Sequence, residues 1–488
     1  MRQHAHFMAW KPIVAASDLL IVNAAYLVAY VLHSGDITAA HEQMVGYARL
    51  SPVVSLLALM SFHLSDLYRN WLRKTFTHVL YSTVIGNVTA LIATATWSFW
   101  SGHLLPRSVL VIAACIQVIL IALYREIARR VYRRWYGCQH TIVIAESNEQ
   151  AWDIAEKFVE HWAGWYEVDQ CLARRGLKAP YTELMSADAI VISADLKDKE
   201  EVIYHCFREG KEVLVVPNLF ELTFCGAEPW EIDDLLVFKV HPHRLNPAQE
   251  LLKRSIDILG SILLLAVASP LLLFAFVAIP LTSKGSAIFR QVRVGKDGRR
   301  FRIFKFRTMV SNAETKTGPV LAIENDPRIT RLGRFMRSTR IDEIPQLFNV
   351  LLDDMSLIGP RPERPIFVEQ FDRQLPAYTL RHLVKPGITG LAQVLGRYST
   401  TAERKLRFDL FYIYNYSLLL DIKIFLQTIR VVLLRERASG LKTSDLAGRR
   451  RSLESIAAGQ RNRRESWDQP MPVSRSAEPE TKARVGAD

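Results

Sequence analysis

Four apolar runs fall within the first 125 residues, and they limit the fold more than any other feature. Ile13–Leu32 holds one charge, Asp18, and Leu50–Leu64 is shorter. Val79–Trp100 and Val109–Tyr124 hold none, and Leu104 and Leu105 lengthen the last run. A helix needs roughly 20 apolar residues to cross a bilayer, so the set reads as four crossings, with buried soluble helices as the alternative. No small-residue cleavage site follows the first run, so it reads as an anchor. Composition agrees. The 488 residues are 49% hydrophobic yet carry 62 Lys and Arg against 49 Asp and Glu, a net +13. That profile excludes a disordered, fibrous or small secreted chain and predicts a membrane part joined to a basic soluble part. Cys115, Cys138, Cys171, Cys206 and Cys225 share no short spacing, which argues against a zinc site or a disulfide framework.

Loop charge predicts orientation. With four crossings, one side receives Arg2, Lys11, Arg69, Arg73, Lys74, Arg125, Arg129, Arg130, Arg133 and Arg134, and the other only Arg49 and Arg107. Both ends of the bundle are therefore expected in the cytoplasm, and the chain after Arg125 begins there.

Residues 138–245 alternate short β-branched runs with helical stretches. Thr141–Ala145, Ala189–Ser193 and Glu212–Val216 are strand candidates, as in a small parallel α/β domain. A dinucleotide-binding version would carry glycines in its first turn. Here that turn reads Ala145-Glu146-Ser147-Asn148-Glu149-Gln150, without glycine and with two carboxylates where phosphate would sit. A structural or oligomerising module is expected, and with it a homodimer.

Ile258–Leu281 is a fifth apolar stretch, interrupted by Ser269-Pro270. Lys253 and Arg254 precede it; Lys284, Arg290 and Arg293 follow it. Positive charge on both flanks holds both ends in the cytoplasm, and proline kinks or breaks a helix. A helix–break–helix dipping into one leaflet satisfies both facts. A kinked fifth crossing is the alternative, and it would put the basic region 284–435 outside the cell.

The region that follows is dense in guanidinium groups interleaved with aromatics. Phe289–Met309 reads FRQVRVGKDGRRFRIFKFRTM. Asp326-Pro327-Arg328, then Arg331, Arg334, Arg337 and Arg340, come next, ahead of Ile341-Asp342-Glu343-Ile344-Pro345. Gly359-Pro360-Arg361-Pro362-Glu363 and Lys385-Pro386-Gly387-Ile388-Thr389-Gly390 follow. Arginine forks suit polyanions. Nucleic acid is the generic ligand for such a pattern; the neighbouring apolar hairpin favours a phosphorylated ligand at the membrane face. Asp342-Glu343 is a carboxylate pair inside this basic field, with proline two residues on, and is expected at a helix N-terminus. An ionised Asp342 could attack a phosphoryl group, with Mg²⁺ bridging it to a diphosphate. Ordinary helix capping is the other reading of the pair alone.

These stretches, with KRSIDI before them and VKPGITGLAQVLGR after, resemble the bacterial polyprenyl-phosphate hexose-1-phosphate transferases, specifically the large monotopic phosphoglycosyl transferases. The resemblance implies a multi-domain membrane protein. Residues 1–136 would form a four-helix transmembrane bundle and 137–245 a degenerate Rossmann-like α/β module. Residues 246–437 would form a monotopic α/β catalytic domain with a reentrant helix at 255–283, and 438–488 a disordered cytoplasmic tail. It implies UDP-hexose and undecaprenyl phosphate as substrates, UMP as product, a covalent phosphosugar–aspartyl intermediate, and a site on the cytoplasmic face of the inner membrane. No nucleic-acid partner is implied. Asp342 and Glu343 become the catalytic pair and the Mg²⁺ ligands, and Lys305, Arg307, Arg340 and Arg361 the phosphate contacts. Ser269 and Pro270 become the helix break, and Asp409 and Arg397 candidate substrate-side residues. Tyr412 and Tyr416, on helical spacing, either approach the substrate or pack against the core. The family's SLDELPQL reads TRIDEIPQL here, its Trp after the KPG motif is Leu391, and its glycines in the module's first turn are missing. Those departures keep the pair and bear on the sugar.

Overall fold

The computed structural model describes residues 2–35, 37–69, 71–161, 165–174, 181–232, 235–240, 245–310, 326–375, 377–396 and 400–434. Arg397 and the tail 438–488 lie outside them.

The apolar runs become four long helices: α1 (Arg2–Ser34), α2 (Ile37–Leu64), α3 (Phe76–Trp100) and α4 (Arg107–Tyr136). Each carries a segment long and apolar enough to cross a membrane. They close into a ring in the order α1, α2, α3, α4 and back to α1. Between them pack Tyr26 and Tyr47, whose rings stack 5.0 Å apart, and Phe62, Val109 and Ile121. Gly86 lets α3 approach α2, since a Cβ there would lie 2.7 Å from Ser65 Oγ and 2.8 Å from Phe62. The lone charge of the first run is answered inside this core: Arg125 of α4 donates to Asp18 at 2.6 Å, and neither side chain reaches solvent. The Arg125 guanidinium also lies over Trp71, 4.5 Å from the ring centre. A charge so placed is tolerable only when paired.

The second region is a parallel sheet in the order β2-β1-β3-β4, from β1 (Gln139–Ala145), β2 (Tyr166–Ala173), β3 (Ala189–Ile192) and β4 (Glu212–Val215). Helix α5 (Asn148–His161) joins β1 to β2, and α6 (Lys199–Arg208) joins β3 to β4. Three of the strands are those legible in the sequence; β2, whose YEVDQCLA mixes polar and apolar positions, is the addition. In the glycine-free turn the Glu146 carboxylate accepts from the Lys197 backbone N–H at 3.3 Å, so a side chain of the chain itself meets the neighbouring strand's loop. Trp165, Tyr166 and Ala189 pack against Val14, Trp71 and Leu72, which joins the sheet to the helical bundle. Leu222 of the next helix, α7 (Leu219–Thr223), packs in one core with Leu406, Leu410 and Ile413 of the C-terminal region. A two-stranded hairpin, β5 (Glu228–Ile232) and β6 (Leu235–Lys239), precedes the fifth long helix.

That helix, α8 (Pro247–Thr282), starts with a capping box in which Asn246 and Gln249 satisfy each other's backbone N–H groups. It runs on through Ser269 and Pro270, where an interruption was expected. The local chemistry gives the reason. Proline at 270 cannot donate to the Ala266 carbonyl, and the Ser269 hydroxyl donates to that carbonyl instead, at 2.8 Å.

Both ends of α8 are fastened to one C-terminal unit. This unit contains the hairpin β7 (Ile288–Val294) and β8 (Arg300–Phe306), then α9 (Arg331–Thr339), α10 (Gln346–Leu351) and β9 (Ser356–Ile358). It continues through α11 (Pro365–Gln374), β10 (Gly387–Thr389), α12 (Leu391–Leu395), α13 (Ala402–Tyr414) and α14 (Leu418–Leu434). At the first end, Arg254 donates to the Val350 and Leu351 carbonyls at 2.6 and 3.0 Å, capping α10. Asp257 accepts from Ser356 and from the Leu357 N–H at 3.1 and 3.0 Å. Lys253 meets Asp421 at 2.8 Å, and that carboxylate also takes the hydroxyls of Tyr412 and Tyr416. The two tyrosines are therefore core residues. At the second end, Ala275 and Ile279 pack with Phe306, Met336 and Ile341. Between Ser261 and Ala275, both buried, only residues 262–274 lack a buried position. At about 1.5 Å per residue that stretch is about 20 Å long, within a helix that as a whole is long and apolar enough to cross a membrane.

Asp18→Ala should strand the Arg125 charge and lower stability by about 3–5 kcal/mol, with Asp18→Ala/Arg125→Leu recovering most of the loss. Thermal unfolding in detergent measures both.

Candidate active site

The acidic pair is placed by a turn that the backbone makes unusual. Helix α9 begins at Thr330, whose hydroxyl accepts from the Gly333 N–H at 2.9 Å. It packs so tightly on β8's exit that a Cβ on Gly333 would lie 2.1 Å from the Thr308 carbonyl oxygen. It ends at Arg340, a non-glycine residue in the left-handed region (φ 60°), and Ile341–Glu343 follow as one 3₁₀ turn. Helix α10 starts only at Gln346, after Pro345. The pair thus lies in the turn before a helix, whereas the sequence suggested the helix's own first residues.

Asn349 ties α10 to β8. Its Oδ1 accepts from the Phe304 N–H at 2.9 Å and its Nδ2 donates to the Arg302 carbonyl at 2.8 Å, in the manner of an added strand. β8 carries Lys305 and α10 follows the pair, so this buried amide sets their separation. On the far side, β9 and β10 pair in parallel, and the two glycine motifs interlock backbone against backbone. A Cβ on Gly387 would lie 2.1 Å from Gly359 N, and one on Gly390 2.1 Å from Gly359 O. The GPRP segment, and with it Arg361, is seated by that contact.

Three cations from three segments converge on one oxygen. Glu343 Oε1 accepts from Arg361 Nη2 at 2.8 Å and from Lys305 Nζ at 3.1 Å, with Arg340 Nη1 at 3.8 Å. Arg361 and then Lys305 hold Glu343 well below the usual carboxylate range, against the opposing effect of its burial. Burial pushes the Lys305 amine down, and Glu343 opposes that shift. Asp342, beside it, is treated oppositely. Both carboxylates are buried, at 9% exposure, but Asp342 Oδ1 has no hydrogen-bond partner among the described residues. Burial first, and the Glu343 charge second, push its carboxyl up to about 6. Two adjacent acids in different environments suit different tasks: one ionised and saturated, the other buried with an oxygen that meets no hydrogen-bond partner among the described residues.

The structure thus brings Asp342, Glu343, Lys305, Arg340 and Arg361 together. Arg307 stands apart: its guanidinium donates to the Ser283 and Gly285 carbonyls at 2.8 and 2.9 Å and to that of Lys284, gripping the chain where α8 ends. Asp409 is buried at 2% exposure and takes Arg381 Nη2 at 2.8 Å, behind the GPRP segment. Ser269 and Pro270 lie on the exposed stretch of α8, far along the chain from the pair. Sequence reasoning missed Asn349 and Arg381. The first follows the acidic pair by six positions within PQLFNV, a spacing that could have flagged it; Arg381 sits in a stretch without a legible motif.

Among the described residues no group of three or more His, Cys, Asp or Glu could hold a metal. Magnesium does not need one: it takes one or two carboxylates, phosphate oxygens and water. Two adjacent carboxylates, one with an unpartnered oxygen, fit that requirement.

Residues 248–435 match the family model described as bacterial sugar transferase. The chain is 42% identical over 272 residues to the UDP-N-acetylgalactosamine-undecaprenyl-phosphate N-acetylgalactosaminephosphotransferase of Aeromonas hydrophila, covering 54% of this chain and 63% of that protein. It is 30% identical over 409 residues to the UDP-glucose:undecaprenyl-phosphate glucose-1-phosphate transferase of Klebsiella pneumoniae, covering 77% and 87%. To the undecaprenyl-phosphate galactose phosphotransferase of Salmonella typhimurium it is 36% identical over 251 residues, covering 48% and 51%. The alignment thus spans less than two thirds of the Aeromonas and Salmonella proteins and most of the Klebsiella one. On the strength of that near-full-length match, the chain belongs to the bacterial sugar transferase family, whose named members include undecaprenyl-phosphate glucose and galactose phosphotransferases.

Proposed function

We propose that this protein transfers a hexose 1-phosphate from a UDP-hexose to undecaprenyl phosphate, giving undecaprenyl diphosphate sugar and UMP, as the first step of a bacterial surface polysaccharide. The observation that carries this reading is the unpartnered Oδ1 of Asp342 beside a carboxylate already held by two cations. In this reading an Asp342 oxygen bonds to the phosphorus that bears the sugar. The bond from that phosphorus to the bridging oxygen breaks, and UMP leaves with the electron pair. A phosphate oxygen of undecaprenyl phosphate then attacks the same phosphorus and the aspartyl–phosphorus bond breaks, restoring Asp342. Lys305, Arg340 and Arg361 bind and orient the diphosphate, and Glu343 keeps them in place. Arg307 acts indirectly, by holding the end of α8. Mg²⁺, held by Asp342 and Glu343, would supply charge neutralisation for the diphosphate.

The membrane geometry belongs to the same proposal. Both ends of helix α8 are bonded to one catalytic unit, which supports its insertion into a single leaflet and not a crossing. The excess of Lys and Arg in the loops on one side of the bundle supports a cytoplasmic-face location for that unit at the inner membrane. The middle module carries no catalytic group in this scheme. The relatives' names carry glucose, galactose and N-acetylgalactosamine, so the donor sugar is read by assay.

Membranes with undecaprenyl phosphate, Mg²⁺ and a panel of UDP-sugars should release UMP with at least one donor, and Asp342→Asn and Glu343→Gln should each lower the rate at least about a thousandfold. Release of UDP would mean direct glycosyl transfer and end the scheme. In a background without the native cysteines, Arg299→Cys should react with an impermeant maleimide only from the cytoplasmic side and His103→Cys only from the other. Labelling of both from one side would contradict the topology.

A further inference from the structure

We propose that Arg381 is a positioning residue for Arg361, with Asp409 as its counter-charge, so that a fully buried pair controls a phosphate contact it never touches. The inference rests on the reading that Arg361 binds the donor diphosphate, and names what that binding requires.

Arg361 lies between Pro360 and Pro362, neither of which has a backbone N–H. The segment is therefore held through its carbonyls, and three in succession are bonded. Pro360 O accepts from the Gly387 N–H at 2.9 Å, and Pro362 O from Arg293 Nη1 at 3.1 Å. Arg361 O accepts from Arg381 Nη2 at 2.8 Å. The same Nη2 meets Asp409 Oδ2 at 2.8 Å, while Nη1 donates to the Tyr378 hydroxyl at 2.5 Å. One planar guanidinium thus spans three acceptors, on α13, on the 3₁₀ turn Tyr378–Leu383 and on the GPRP backbone, a task for which an ammonium lacks the fork.

Arg381 spends its guanidinium on internal acceptors: it is 6% exposed and Asp409 2%, whereas the Arg361 side chain is 37% exposed. A charge as buried as Arg381 requires an opposite charge, which Asp409 supplies. The consequence appears one residue away: with its carbonyl fixed, Arg361 directs its guanidinium at Glu343 at 2.8 Å. A displacement of about 1 Å there would disturb the Glu343 contact and the phosphate contact together. Asp409, expected on the substrate side, thereby acquires a role that its buried position allows.

The test is a double-mutant cycle on full-length protein in membranes, measured by UMP release. Arg381→Lys should lower kcat about 10- to 100-fold and Tyr378→Phe about 3-fold, with KM for the UDP-sugar within about twofold. In an Arg361→Gln background, each should have less than about a twofold further effect, because the residue through which they act is gone. Equal factors in both backgrounds would overturn the proposal, as would a raised KM with unchanged kcat, or no fall for Arg381→Lys. If Arg381→Lys does not fold, Tyr378→Phe decides alone: a kcat factor that vanishes with Arg361→Gln supports the relay, and one that persists, or is absent from the start, overturns it. Failure of the functional reading is separate, since wild type would then release no UMP from any donor.

Discussion

A single carboxylate oxygen, Glu343 Oε1, organises the catalytic end of this molecule. Lys305 arrives from a β-hairpin, Arg340 from the end of a helix and Arg361 from a proline-flanked loop, and all three point at it. Without that anion, three cations on separate segments would repel one another. With it, they form a fixed positive surface, and the cationic side chains are already ordered before any phosphate arrives. The adjacent Asp342 is left out of this network, and its Oδ1 has no hydrogen-bond partner among the described residues. The pair therefore divides a task that neither residue type implies by itself.

The same region also determines how the protein meets the membrane. Lys253, Arg254 and Asp257 bind one end of α8 to α10, β9 and α14, and Arg307 binds the other. The catalytic turn lies between these two attachments in the fold. The long apolar helix and the turn that holds the acids are thus parts of one unit, which suits a reaction joining a water-soluble nucleotide sugar to a lipid phosphate.

Much of this could be read from the chain itself. The apolar runs and their flanking charges foretold the long helices, and three of four module strands stood out as β-branched runs. The acidic pair was legible as a carboxylate couple inside a basic field, whereas the particular cations at 305, 340 and 361 came from the family resemblance. What was not legible came from backbone geometry. Pro270 suggested an interruption, yet the Ser269 hydroxyl takes over the missing donor's acceptor and the helix continues. Arg307 looked like Lys305, two positions before it, but it lies just past the end of β8 and closes on the carbonyls at 283–285. Asp409 signalled importance without location. Its partner Arg381 could be found only once the fold brought α13 behind the GPRP loop.

The central claim is that Asp342 becomes covalently bonded to the sugar phosphate. The direct measurement is peptide mass spectrometry on an active preparation quenched with acid after exposure to UDP-sugar without lipid acceptor. The mechanism predicts a hexose-phosphate adduct on the peptide containing Asp342, lost on addition of undecaprenyl phosphate. A preparation that turns over yet carries no adduct there, or carries it on another residue, would contradict it.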